Sequence, residues 1–289
     1  MRSAVARWAG LIAGGLVSVA SGAASLERTG FAELDGVKIR YVECGPQSGN
    51  ALIFIHGWSC DASFWAGSGM ALGEKLRTIR IDLPGHGGSD KPQIAYTMDL
   101  YARAIEAVMR HAKVESAVLV AHSNGTPVIR QFYRKFPEKT RALVIVDGGL
   151  RPFGTKEAME KFVAQLKGPN YAETIGSLID NMTSQIQDAA LRERIKTTML
   201  QTPQYVGASE FESTLDDALW KPDKINVPVL MVLAKQPIWS AEYEQFVRGI
   251  VPDLDYQVWE NVSHFLMMEQ PERFNRALVA FLEKHKLTQ

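Results

Sequence analysis

Three side chains able to run a proton-relayed nucleophilic reaction lie far apart in this sequence but at equivalent places in its pattern: Ser123, Asp147 and His264. Ser123 sits in VLVAHSNGTPVI, between branched apolar residues suited to a buried parallel strand and a stretch that reads as the start of a helix. Asp147 ends the apolar run of RALVIVDGG, and His264 follows the run of DYQVWENVSHF. His56-Gly57-Trp58 and DLPGHGGSD close two earlier runs. Reactive groups in a parallel α/β sheet gather at the carboxyl ends of its strands, so a hydroxyl, a carboxylate and an imidazole can converge there. An imidazole is a usable base near neutral pH without much tuning, and a hydroxyl becomes a good nucleophile when such a base takes its proton. Taken alone, Ser123 also fits an ordinary helix N-cap.

These residues depend on elements that must hold them. FAELDGVKIRYVECG alternates around an Asp35-Gly36 turn and reads as an antiparallel hairpin. ALIFIHGW, LRTIRIDLPG, SAVLVAHS and RALVIVDGG are apolar runs of strand length, separated by amphipathic stretches such as TMDLYARAIEAVMRHA and PVIRQFYRKFPEK. That alternation specifies an α/β fold: a mostly parallel sheet covered by helices on both faces. After Gly149 it stops. KEAMEKFVAQL, AETIGSLIDNM, AALRERIKTTML and FESTLDDALW show helical periodicity only, broken by Gly168-Pro169 and Pro203. A crossover between parallel strands needs only about a dozen residues, so residues 151–222 read as an inserted all-helical cap between core segments 25–150 and 223–289. Met159, Phe162, Leu178, Met182, Met199 and Phe211 can form an apolar ceiling in it, or simply pack. Sheet residues resume at VPVLMVLA and DYQVWENV, and PERFNRALVAFLEKH closes as a helix.

The 289 residues carry 32 basic and 32 acidic side chains, so no field selects nucleic acid or an anionic membrane, and a small uncharged or apolar substrate is favoured. The first residues differ in kind. Arg2 and Arg7 precede a run without charge until Glu27, ending in small residues around Ala23 and Ala24. This is the pattern of an export signal, residues 1–24, cleaved near Ala24; an uncleaved membrane anchor is the alternative. The expected product is secreted or periplasmic, with no stable membrane association. Cys44 and Cys60 are expected at opposite ends of the sheet, too far apart for a disulfide.

HGW, DLPGHGGSD, AHSNG, the carboxylate after a later strand and NVSHF, in that order, resemble the α/β-hydrolase fold family over nearly the whole mature chain. The family's nucleophile elbow is Gly-x-Ser-x-Gly; Ala121 replaces the first glycine here, and the order Ser, acid, His matches. The resemblance implies Ser123 as nucleophile, His264 as general base and acid, and the backbone N–H groups of Trp58 and Asn124 as an oxyanion hole. Family members often carry the acid after the penultimate strand, where VLAKQPIW places Gln236 instead. Other members place it one strand earlier, which gives Asp147, with Glu242 or no acid as the alternatives. His86, His111 and His285 read as structural, as does His122, which is expected to point away from the site. No HExxH, CxxC, GxGxxG or P-loop pattern is present, so neither metal nor cofactor is expected. The implied activity is a serine hydrolase cleaving carboxylic esters or lactones through an acyl-enzyme. Amide, peptide or carbon–carbon hydrolysis, a perhydrolase side activity, and a weakly catalytic ligand-binding protein stay open.

Overall fold

The computed structural model describes residues 27–288, so the segment read as an export signal lies outside the described residues. Strands β1 (Arg28–Leu34) and β2 (Val37–Cys44) form the antiparallel hairpin, which turns on Asp35 and Gly36 at φ 52° and 81°. Then come β3 (Asn50–Ile55), α1 (Ala66–Gly73), β4 (Thr78–Ile81), α2 (Met98–His111), β5 (Ser116–His122), α3 (Gly125–Lys135) and β6 (Thr140–Val146). Helices α4 (Lys156–Leu166), α5 (Tyr171–Thr183), α6 (Ala189–Leu200) and α7 (Gln204–Ser213) separate β6 from β7 (Val229–Ala234). The chain closes with α8 (Ala241–Ile250), β8 (Leu254–Trp259), α9 (Leu266–Glu269) and α10 (Pro271–Lys284).

The strands form one sheet in the order β1-β2-β4-β3-β5-β6-β7-β8, parallel from β4 to β8. Strand alternation divides their apolar residues between two cores. Ile53, Ile55, Leu119, Ile145 and Met231 face the side covered by α2, α3 and α8. Leu52, Phe54, Val120, Val144 and Val232 face α1 and α10, in a core that also contains Ile175, Ile179 and Ile195 of α5 and α6. Burial on both faces is why these strands read as continuous apolar runs.

Two local departures have local causes. The helix read into PVIRQFYRKFPEK stops at Lys135, because the residue before Pro137 is pushed out of the helical region. FESTLDDALW is not one helix: α7 ends at Ser213, and the Asp216 side chain accepts from Ala218 N–H to cap a separate 3-10 turn over Asp217–Trp220. Helices α1 and α8 had no clear expectation behind them. Cys44 pairs in register with Thr78 at the start of β4, whereas Cys60 lies beyond the end of β3, so the two stand at opposite ends of the sheet.

Helix α3 starts directly behind Ser123 and presses on β3 at Gly125. A methyl group there would lie 2.8 Å from the His56 carbonyl oxygen and 3.2 Å from that of Ile55, both fixed backbone. Gly125→Ala is therefore expected to destabilise the fold by about 1–3 kcal/mol, through overpacking that neither element can relieve. Urea unfolding reads the difference, and a midpoint equal to that of the parent protein would contradict this close approach.

Candidate active site

The parallel ladder does not end with the regular strands. One residue past β5, Ser123 N–H donates to the Val146 carbonyl (2.9 Å), and one residue past β6, Asp147 N–H donates to the Val232 carbonyl (2.9 Å). Both residues have positive φ, 52° at Ser123 and 45° at Asp147, a region that costs an L-residue roughly 1–3 kcal/mol. Ser123 is not the N-cap of α3; Asn124 holds that position, and its side chain makes no cap bond. Room for the turn comes from Gly57, where a methyl group would come within 3.1 Å of Ser123 Cβ and 2.9 Å of His122 Nδ1. The His56-Gly57-Trp58 loop thus lies directly against Ser123.

Asp147 is 2 % exposed, and its oxygens divide their duties. Oδ1 accepts from Ala234 N–H (2.8 Å) at the end of β7 and from Trp239 Nε1–H (3.0 Å). Oδ2 accepts from His264 Nδ1 at 2.6 Å. A carboxylate can only accept here, so Nδ1 carries the proton and Nε2 presents its lone pair, the tautomer a general base needs. Glu242, the alternative acid, is not brought to this imidazole. Its side chain is 82 % exposed and faces Arg151 at 3.3 Å. Gln236 lines a cleft of about 430 Å³ together with Asp147, His264, Trp239 and Met182.

His122 departs from its expected direction. Its ring lies 4.5 Å from that of His264, and Nε2–H donates to the His264 carbonyl at 2.9 Å. Burial, and after it the neighbouring His264, hold its pKa well below the usual histidine range, so this neighbour of Ser123 is neutral and braces His264. His56 does similar work on the other side. Its Nδ1–H donates to the Gly57 carbonyl (2.9 Å) and its Nε2 accepts from Leu83 N–H (3.0 Å), tying the Gly57 loop to DLPGHGGSD. Burial first, then the proximity of His86, push its pKa down to about 4.

Among the described residues, neither Trp58 N–H nor Asn124 N–H donates to a backbone carbonyl. Both side chains are engaged by α7: Trp58 Nε1–H donates to the Gly207 carbonyl (2.8 Å) and Asn124 Nδ2–H to Glu210 Oε1 (2.7 Å). Phe162 and Phe211 pack edge-on against the Trp58 ring, while Met159 and Met199 are buried within the helical segment. Sequence reasoning passed over Glu210, Trp239 and the brace at His122. Glu210 had a signal, since it lies four residues from Val206 on α7 and four from the buried Thr214 that caps it. His111 bonds the Tyr41 hydroxyl (3.0 Å), and His285 faces Asp253 at 3.5 Å. Among the described residues no group of three or more His, Cys, Asp or Glu is arranged to hold a metal ion.

Residues 50–271 match the family model of the alpha/beta hydrolase fold, and the chain belongs to that family. It is 27 % identical to the dihydrolipoyllysine-residue acetyltransferase component of the acetoin cleaving system of Pseudomonas putida, over 88 % of this chain and 69 % of that protein. To carboxylesterase YbfK of Bacillus subtilis it is 24 % identical, over 85 % of this chain and 84 % of the relative. The enol-lactonase from Burkholderia xenovorans LB400 superposes with a TM-score of 0.78 at 18 % identity, covering 88 % of this chain and all of the other.

The neutral state of His56 gives the fold a pH dependence of known sign. Its folded pKa, about 4, is below the unfolded value of 6.5, so its contribution is complete above about pH 6.5 and is lost as pH falls toward 4. Between pH 7.5 and pH 5 the expected loss from His56 alone is about 2 kcal/mol. Denaturant titrations at the two pH values measure it. A His56→Gln variant should show a shallower slope, and an unchanged slope would contradict the assignment.

Proposed function

We propose that this protein is an exported serine hydrolase that cleaves carboxylic esters or lactones of small molecules through an acyl-enzyme on Ser123. The observation that carries this reading is the 2.6 Å bond from His264 Nδ1 to the buried Asp147 carboxylate, which leaves Nε2 as a base at the strand ends that also bear Ser123. Ser123 Oγ attacks the carbonyl carbon as its proton passes to His264 Nε2. Asp147 stays ionised and stabilises the imidazolium. The Trp58 and Asn124 backbone N–H groups meet the negative charge that develops on the carbonyl oxygen, aided by the amino end of α3. Collapse breaks the carbon–oxygen bond, His264 returns the proton to the departing alkoxide, and the acyl group remains on Ser123. Water then repeats the steps with His264 as base and frees the acid.

Esters and lactones are favoured over amides because alkoxides leave more readily than amines. The similarity to a carboxylesterase and an enol-lactonase supports the same class. A serine, not an aspartate, at the elbow argues against epoxide or haloalkane opening by a carboxylate nucleophile. The segment 151–222 is read as a cap over the site, supported by its bonds to Trp58, Ser59 and Asn124. Export rests on the composition of residues 1–24.

A panel of p-nitrophenyl esters and lactones of varied acyl length, assayed against the parent enzyme and Ser123→Ala, tests the reading. The expected result is turnover of at least one class, reduced about 10⁴-fold or more in the variant. Equal turnover in Ser123→Ala, or none by the parent enzyme on either class, would overturn it.

A further inference from the structure

Glu210 is a carboxylate on α7 that is only 2 % exposed. Burying such a group costs several kcal/mol unless each oxygen finds a partner. Oε1 accepts from Asn124 Nδ2–H at 2.7 Å. Oε2 faces the Tyr101 hydroxyl at 3.4 Å and His86 Nε2 at 3.1 Å, the latter off the line of a good hydrogen bond. His86 Nδ1–H is directed at the Pro84 carbonyl (3.1 Å), so a proton on Nε2 or on the carboxyl is needed to join this pair. From the core side the carboxyl accepts from the Tyr101 hydroxyl of α2 and lies against His86 of DLPGHGGSD.

One turn earlier on α7, the Gly207 carbonyl accepts from Trp58 Nε1–H at 2.8 Å. This turn packs closely on the start of α5, since a methyl group on Gly207 would lie 2.7 Å from the Tyr171 hydroxyl. The Thr202 hydroxyl, ahead of the same helix, donates to the Ser59 carbonyl at 3.2 Å. Consecutive turns of one helix therefore hold the two residues whose backbone N–H groups are read as the oxyanion donors, one from each loop.

We infer that α7 sets the oxyanion hole: Glu210 and Gly207 are positioning residues that fix the spacing of the Asn124 and Trp58 backbone N–H groups by gripping their side chains. This rests on the reading of the site as a serine hydrolase. Neither residue touches substrate in this account. Their effect belongs to the transition state, where a misplacement of about 1 Å can cost on the order of 10² in rate.

The experiment compares Glu210→Leu, Glu210→Gln and Trp58→Phe with the parent enzyme, using the best ester of the panel and a hexylthio trifluoromethyl ketone, whose adduct on a serine carries an oxyanion. Glu210→Leu is expected to lower kcat about 30- to 100-fold with KM within about threefold, and to weaken the ketone by the same factor as kcat. Glu210→Gln keeps an oxygen for Asn124 and offers an N–H to His86 Nε2, so it should recover activity to within about fivefold of the parent. Trp58→Phe keeps the backbone donor but loses the indole N–H, and should lower kcat and ketone affinity together by about tenfold. A folded Glu210→Leu protein with parental kcat and ketone affinity overturns the inference, as does a Gln variant as impaired as the Leu variant. If Glu210→Leu does not fold, Trp58→Phe decides, and unchanged constants there overturn it. Failure of the parent enzyme to show Ser123-dependent turnover removes the underlying reading instead, so the two failures are distinguishable.

Discussion

The site is built around the carboxylate of Asp147. One oxygen is bound into the fold by the amide of Ala234 and the indole of Trp239, and the other holds the imidazole of His264. The first set of bonds makes the second directional. A carboxylate free to rotate would accept from water and lose its hold on the ring, whereas this one can turn no further without leaving the buried Ala234 amide and the half-buried Trp239 indole unpaired. Its backbone has a positive φ and is held by the next strand's ladder, in the same way that Ser123 is held by Val146 at the end of β6. The sheet register therefore fixes the relative heights of Ser123 and Asp147 before any side chain chooses a rotamer.

Around this pair the protein keeps other charges quiet. His122 lies ring to ring with His264, and a proton on it would oppose any positive charge on His264. Burial prevents that, and the same is true of His56 behind the Gly57 loop. Both rings act through fixed neutral tautomers, one bracing His264 and the other bracing the loop that faces Ser123. The helical segment between β6 and β7 adds a third support from above through Trp58, Ser59 and Asn124. A serine at φ 52° is thus surrounded by elements that cannot easily relax away from it.

Much of this was legible in the residues. Strands buried on both faces read as apolar runs, so β3 and β5 to β7 and the site residues at their carboxyl ends could be placed from the sequence. The α/β-hydrolase fold followed from motif order, and the family match agrees with it. Less legible were features that depend on what lies opposite in space. Trp239 reaches Asp147 from a loop with no periodicity, and His122 turns toward a residue more than a hundred positions away. Helix α1 has Gly67, Gly69 and Gly73 where a helix former would be expected, which hides it from propensity and pattern alike. FESTLDDALW carried apolar residues at helical spacing across a turn that only the Asp216 cap reveals.

The central claim is that Asp147 and His264 together make Ser123 nucleophilic. Its most direct test is covalent labelling with a fluorophosphonate, followed by peptide mass spectrometry, on the parent enzyme and on Asp147→Asn. The account predicts one adduct, on Ser123, forming about 10³- to 10⁴-fold more slowly in the variant. An adduct on another residue, or equal labelling rates in the two proteins, would contradict it.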